Sequence, residues 1–194
     1  MTDGDPAGPG PGDPVDPVDP QAGVWLVDKA RDGDPDAWEV LVRRHRDRIY
    51  RIALRMLGNP EDAEDVAQEV VIQLFTALAG FTGGSSFTTW LYRIVVNRCL
   101  NHQRRRRLTR PIMESDHPAV SGPEQTVMAR GRAEATAAAL ARLPGPLRTP
   151  LVLHEMEGLS YQEVATILEV AEATVRGRIY RARRTLLHEL REWS

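Results

Sequence analysis

Two stretches of this 194-residue chain concentrate charge of opposite sign. Asn97 to Arg110 carries six arginines (Arg98, Arg104, Arg105, Arg106, Arg107, Arg110) and no acid, while Glu61 to Glu69 carries five acids (Glu61, Asp62, Glu64, Asp65, Glu69) and no base. Blocks of this kind suit different partners, a polyanion for one and a basic protein surface for the other. Between them lies a Gly/Ser/Thr loop, Phe81 to Phe87, bracketed by aromatics and followed by Trp90 and Tyr92. Stacking faces beside a cationic groove hold a single nucleic-acid strand, although the same rings equally serve to close a hydrophobic core. A third feature is Glu172 to Arg191, with six arginines against two acids. Phosphates explain those arginines better than an ordinary solvated helix face does. Covalent chemistry is not indicated. No nucleophile stands beside a base, no glycine loop is built to cradle phosphates, and His45, His102, His117, His154 and His188 are too scattered for a metal site, so neither enzyme activity nor a cofactor is expected.

The elements that must position these side chains read as helices throughout. Asp34-Pro35 is an N-cap followed by proline in the first turn, and Trp38, Leu41, Val42, His45, Ile49, Ile52, Ala53 and Met56 recur at helical spacing up to Gly58. Asn59-Pro60-Glu61-Asp62 repeats the start signal, with acids where the helix dipole favours them, and the apolar stripe Val66, Val70, Leu74, Phe75, Leu78 comes next. Ser86 caps a third helix through Trp90, Leu91, Ile94, Val95 and Leu100 into the arginine run. An alanine-rich helix is expected from Glu124 to Ala141. Leu143-Pro144-Gly145-Pro146 breaks it, and the next helix is expected to begin near Thr149, with Pro150 in its first turn and a stop at Gly158. Ser160-Tyr161-Gln162-Glu163 is a capping box. A tight turn at Glu169 to Ala171 then leads into a last helix with Val175, Ile179, Ala182, Leu186 and Leu187 inward, which makes the pair a helix-turn-helix. No alternating strand pattern appears, so the fold class is all-α.

Composition divides the chain. Residues 1–22 form a Pro/Gly/Asp-rich tail expected to be disordered, with six prolines, four glycines and five acids in the first 20 residues. Residues 23–107 form one small helical domain, 108–123 a flexible linker punctuated by Pro111, Pro118, Gly122 and Pro123, and 124–194 a second helical domain. The formal charge of -2 thus hides a basic body behind an acidic tail. No apolar run approaches the roughly 20 residues of a membrane span and no signal segment is present, so membrane insertion is not expected and a cytoplasmic location is. Cys99, the single cysteine, sits on an apolar helix face, where a buried small hydrophobe is favoured over a redox switch.

Three segments together resemble the extracytoplasmic-function sigma factors, small members of the sigma-70 family of bacterial transcription initiation factors. Asn59-Pro60-Glu61-Asp62-Ala63-Glu64-Asp65-Val66-Ala67-Gln68-Glu69 is similar to the region 2 segment that binds core polymerase. Phe87-Thr88-Thr89-Trp90-Leu91-Tyr92-Arg93-Ile94-Val95-Val96-Asn97 is similar to the promoter-melting segment. Gly158 to Ala165 with Thr174 to Arg183 is similar to region 4. The resemblance covers about Val24 to Leu190. It implies docking on the beta and beta-prime subunits of RNA polymerase core through Asp62, Asp65, Gln68 and Glu69. It implies capture of an extruded minus-10 base by the loop holding Phe81, Ser85, Ser86 and Phe87, with Trp90, Arg93, Asn97, Asn101 and Arg104 along the melted single strand. It implies reading of the minus-35 duplex by Thr174, Arg176, Gly177, Tyr180 and Arg181, with Arg178 and Arg183 on phosphates, and control by an anti-sigma factor.

Some positions depart from the family pattern. Glu169 and Ala171 stand where a turn glycine and a capping serine are common, Ala173 and Gly177 replace a glycine and a serine, and Asn101 replaces an aspartate. The main competing reading is an independent helix-turn-helix regulator, which leaves the acidic helix and the aromatic loop without a purpose.

Overall fold

A computed structural model describes residues 20–109 and 136–191. Every regular element among them is helical: α1 (Pro20–Arg31), α2 (Pro35–Leu57), α3 (Pro60–Ala77) closed by a 3-10 turn at Leu78–Gly80, α4 (Phe87–Thr109), α5 (136–142), α6 (Gly145–Leu151) opening into a π-helical turn at Val152–Met156, α7 (Tyr161–Leu168) and α8 (Glu172–Arg191).

Local hydrogen bonds set the starts. The Asp34 carboxylate accepts from the amides of Asp36 and Ala37, both at 3.0 Å, and Pro35 occupies the first turn, where its missing N–H costs nothing. Gly58 ends α2 at φ 73°, a left-handed cap that suits glycine. Asn59 Oδ1 accepts from Asp62 N at 3.0 Å to start α3, and Ser86 Oγ accepts from Thr89 N at 3.1 Å to start α4. The capping box is complete: Ser160 Oγ takes Glu163 N at 3.2 Å, while Glu163 Oε2 takes Ser160 N at 2.8 Å.

The helices form two subdomains joined by a linker. In the first, α2, α3 and α4 bury Ile49, Ile52, Met56, Val66, Val70, Leu74, Leu91, Val95 and Cys99, and α1 lies across α2 on a smaller cluster around Leu26, Val27 and Leu41. In the second, α6, α7 and α8 close over Val152, Leu153, Val164, Ile167, Val175 and Ile179. The subdomains also touch each other. α4 packs on α7, the π-helical turn packs on α2, and the buried residues of both halves belong to one continuous cluster.

Several expectations are corrected. α1 begins at Pro20, so helix starts within the last residues assigned to the tail; residues 1–19 lie outside the described residues. α4 runs to Thr109, past the expected linker start at 108, because arginines in its last turns complement the carboxyl end of the helix dipole; residues 110–135, with the rest of the linker and most of the alanine-rich helix, lie outside the described residues. α6 starts at Gly145 rather than near Thr149. Pro146 takes the first turn, Pro150 lies inside the helix and is buried, and the helix then widens so that Glu157 N reaches back five residues to Val152 O at 3.2 Å. Pro150 costs little here because the bond it lacks would go to Pro146 O in the first turn, and the π turn lies beyond it. Finally, Phe75 and Leu187 point outward, at 68% and 58% exposure. Each comes after an inward neighbour, Leu74 or Leu186, and a step of one residue turns about 100° around a helix.

Candidate nucleic-acid interface

Along α4, Arg93, Asn97, Asn101 and Arg104 are exposed and Trp90 half-buried, all spaced by three or four residues on one face. Asn97, Asn101 and Arg104 line an open, polar groove with Arg98, Leu100 and, from α3, Gln73. Arg98 is fixed in that groove: its Nε donates to Gln73 Oε1 at 2.6 Å and its Nη1 to Glu69 Oε2 at 3.2 Å. Sequence spacing groups the α4 residues, but Gln73 and the orientation of Arg98 arise only from packing of α3 on α4.

The aromatic loop is arranged differently. Phe81, Phe87 and Trp90 form one half-buried cluster, with ring centroids 5.8 Å (Phe81–Phe87), 5.1 Å (Phe81–Trp90) and 5.8 Å (Phe87–Trp90) apart, packed on the core. Thr82 to Ser86 are exposed. Ser86 is committed to the cap and to Thr89, with the two hydroxyls 2.8 Å apart, whereas Ser85 bonds only weakly to Ser86 O at 3.3 Å. Beneath the loop, His45 meets the Phe87 ring at 5.3 Å. Burial, helped by Arg44 and Arg48, pushes its pKa down to about 4, so the ring is neutral at physiological pH.

The acidic block splits into two groups. Asp62 is bound by Arg106 and by His102 at 3.1 Å, and Glu69 by Arg98, so these carboxylates face the arginines of α4. Asp65 and Gln68 are exposed on the outer face of α3. Ile72 and Phe75, each 68% exposed, continue that outer face at helical spacing, and Trp38 meets Phe75 edge-on at 5.2 Å. The two charge blocks thus pair partly with each other, which neither block shows when read alone.

In the second subdomain the turn is held by Val170 N bonding Ala165 O at 3.1 Å, and Glu169 takes a left-handed φ of 54°. Ala171 caps α8 with its carbonyl only, 2.9 Å from Thr174 N. Val175, Ile179 and Ala182 face inward, while Arg176, Tyr180, Arg181 and Arg183 are exposed and Thr174 and Gly177 half-buried. Arg176 bonds Glu172 Oε1 at 3.0 Å and lies over the Tyr161 ring at 4.6 Å. Arg181 Nε donates to Gly177 O at 3.2 Å, and Arg183 pairs with Glu155. A side chain at Gly177 would meet nothing within 4 Å, so the fold does not demand glycine there. Arg178 faces the other way, into a crevice shared with Arg104, Gln103, Pro146 and Pro150, and is not on the outward face with its neighbours.

Elsewhere, Cys99 is fully buried and its thiol pushed up to about 12 by desolvation, as suits a small hydrophobe. Among the described residues no group of side chains could hold a metal ion, and no helix is long and apolar enough to cross a membrane.

A capped helix-turn-helix with a basic outer face, joined to a bundle carrying an arginine-lined groove, defines a class of helical DNA-binding protein. Residues 41–109 match Sigma-70 region 2, and residues 133–186 match Sigma-70, region 4. The chain is 38% identical to the RNA polymerase sigma-H factor of Pseudomonas aeruginosa over 174 residues, covering 83% of this chain and 90% of that protein. It is 34% identical to the ECF RNA polymerase sigma-E factor of Escherichia coli K12 over 173 residues, with the same coverages. Among solved structures it is similar to CnrH in complex with the cytosolic domain of CnrY, with TM-score 0.69 and 30% identity over 89% of this chain and 99% of that one. It shares its fold with the sigma factor RpoE of Bartonella quintana, solved with the anti-sigma factor NepR, at TM-score 0.63 and 22% identity over 79% of this chain and 96% of that one. The chain belongs to the extracytoplasmic-function sigma factors of the sigma-70 family. It directs core polymerase binding and promoter recognition.

Proposed function

We propose that the three faces divide the work of initiation. The α4 groove of Asn97, Asn101 and Arg104, with Trp90 and Arg93 on the same stripe, tracks the minus-10 single strand, and Arg98 and Gln73 join it. The observation that carries this reading is the convergence of these polar side chains in one open groove whose central arginine is already oriented. Thr82 to Ser86 supply the exposed loop that borders an extruded base, while Phe81 and Phe87 brace it from behind. The outer face of α3 docks on the beta and beta-prime subunits of core polymerase through Asp65 and Gln68, and the exposed Ile72 and Phe75 give that contact the apolar centre a protein interface needs. Asp62 and Glu69 act from behind, holding α4. On α8, Arg176, Gly177, Tyr180 and Arg181 read the minus-35 duplex, with Thr174 and Arg183 on the backbone. The complexes of similar proteins with CnrY and NepR support an anti-sigma factor as a further partner.

Transcription by the reconstituted holoenzyme tests this division. Asn97→Ala with Asn101→Ala should abolish transcripts from a duplex promoter and spare most of them on a template premelted at minus-10. Asp65→Lys with Phe75→Ala should remove both by abolishing core binding in a pull-down. Equal loss on both templates with core binding intact would take the groove out of melting.

A further inference from the structure

Among the described residues, Glu157 is the one carboxylate nearly sealed from solvent at the seam between the subdomains, with its side chain 3% exposed. The widened turn after Pro150 delivers it there. From the other subdomain, Arg48 Nε donates to its Oε2 at 2.8 Å, Arg55 Nη1 to its Oε1 at 2.8 Å, and the Tyr92 hydroxyl lies 3.4 Å from Oε2. Arg48 also donates to the Glu157 backbone carbonyl at 3.2 Å and lies over the Tyr92 ring at 5.3 Å. Both arginines keep a third or more of their side chains in water, so they regain solvent readily if the contact opens. A second cross-seam ion pair joins Arg93 of α4 to Glu169 in the helix-turn-helix turn. Arg104 and Arg178, one from each subdomain, line the same crevice.

This closed arrangement conflicts with simultaneous reading of both promoter elements. Their centres are about 25 base pairs apart by name, roughly 85 Å along B-form DNA at about 3.4 Å per step. Modules of this size have radii of gyration of roughly 13 Å, so two in contact cannot reach both. Arg93 is moreover held by Glu169 in place of a phosphate. We propose that Glu157 is a latch: gripped by Arg48, Arg55 and Tyr92, it holds the helix-turn-helix subdomain shut on the bundle in the free chain, and its release precedes promoter engagement. This rests on the assignment of the two subdomains to two promoter elements, and it adds a contact within the chain that lowers the fraction competent to load. Apparent affinity for core then falls in proportion to that fraction.

The test is a distance measurement between spin labels at Lys29→Cys and Thr166→Cys, both exposed and outside the candidate interfaces; Cys99, buried and with a raised thiol pKa, stays unlabelled. The free chain should show one short distance, replaced by a long one with polymerase core and promoter DNA. Glu157→Gln should give the long, broad distribution in the free chain and tighten core binding by about threefold to tenfold. The double variant Arg48→Ala/Arg55→Ala should do the same from the opposite side of the contact, and it decides the matter if Glu157→Gln melts early. A short distance that persists in the double variant, with unchanged core affinity, would overturn the latch. Failure of every form, the parent included, to bind core would instead overturn the functional assignment, because the free-chain distances are read without polymerase.

Discussion

Two arginine-rich helices carry the proposed nucleic-acid faces, and their arginines are held differently. On α4 the groove is walled by a second helix, and Arg98 is held by Gln73 and Glu69 of α3 before any ligand arrives. On α8 the outward arginines rest on groups of their own subdomain: Arg176 on Glu172, Arg183 on Glu155, and Arg184 over the Tyr180 ring at 5.9 Å. A groove built by two helices is preorganised for a strand that has no shape of its own, whereas a single helix needs only to enter a duplex groove that already has one. The contrast teaches that a count of arginines says little about readiness; their acceptors decide it.

The strongest way to break the contrast is to remove the held arginine. Arg98→Ala strands Glu69 beside the groove and frees Gln73, and single-stranded minus-10 DNA should bind about 2 to 3 kcal/mol more weakly, on the order of a hundredfold, in holoenzyme titrations. Arg183→Ala loses an exposed ion pair and one proposed phosphate contact, and should weaken minus-35 duplex binding in the same titrations by less than about 1 kcal/mol. A similar small effect for both would mean that the α4 groove is no better organised than the α8 surface.

Acid should separate the two subdomains next. His45 has its pKa near 4 in the bundle against an ordinary value of 6.5, so the unfolded chain binds the proton that the folded chain refuses. Stability is therefore full above pH 6.5 and falls as pH drops toward 4, by about 3 kcal/mol for this group. Chemical denaturation at a series of pH values, with His45→Gln as reference, should show this slope in the parent and a flatter one in the variant. The smallest effect belongs to α8. Gly177→Ala should stabilise the helix by about 1 kcal/mol, since the new methyl meets nothing. The same substitution should weaken minus-35 binding if DNA approaches the backbone at Gly177. Gain in both would remove Gly177 from the interface.

Much of this arrangement is legible in the chain. The caps at Asp34, Asn59, Ser86 and Ser160 are local signals written within four residues of the atoms they bond, and the all-α, two-subdomain plan derives from them. The exposed stripe on α4 is legible for the same reason. The features that escape are set by distant packing. Nothing near Glu61 to Glu69 says that Asp62 and Glu69 will turn toward α4 while Asp65 turns away. Nothing near Phe75 says that the bundle closes over Leu74 and leaves its neighbour outside. Nothing near Arg178 says that it will line a crevice with Pro146 and Pro150 of α6. Pro150 misleads most, because proline argues for a helix start where the chain is already inside α6.

The wide turn after Pro150 sets a phase relation between two parts of one subdomain. A π-helical turn holds one residue more than an α-helical one, so removing one residue from Val152–Met156 would leave a regular α-helical turn in its place, with the chain beyond it close to its original phase. Glu157 would stay near the seam, and the capping box at Ser160, Tyr161 and Glu163 would start α7 as before. The wide turn is thus a register buffer: it takes up one residue of length that a regular helix, turning about 100° per residue, would pass on as rotation.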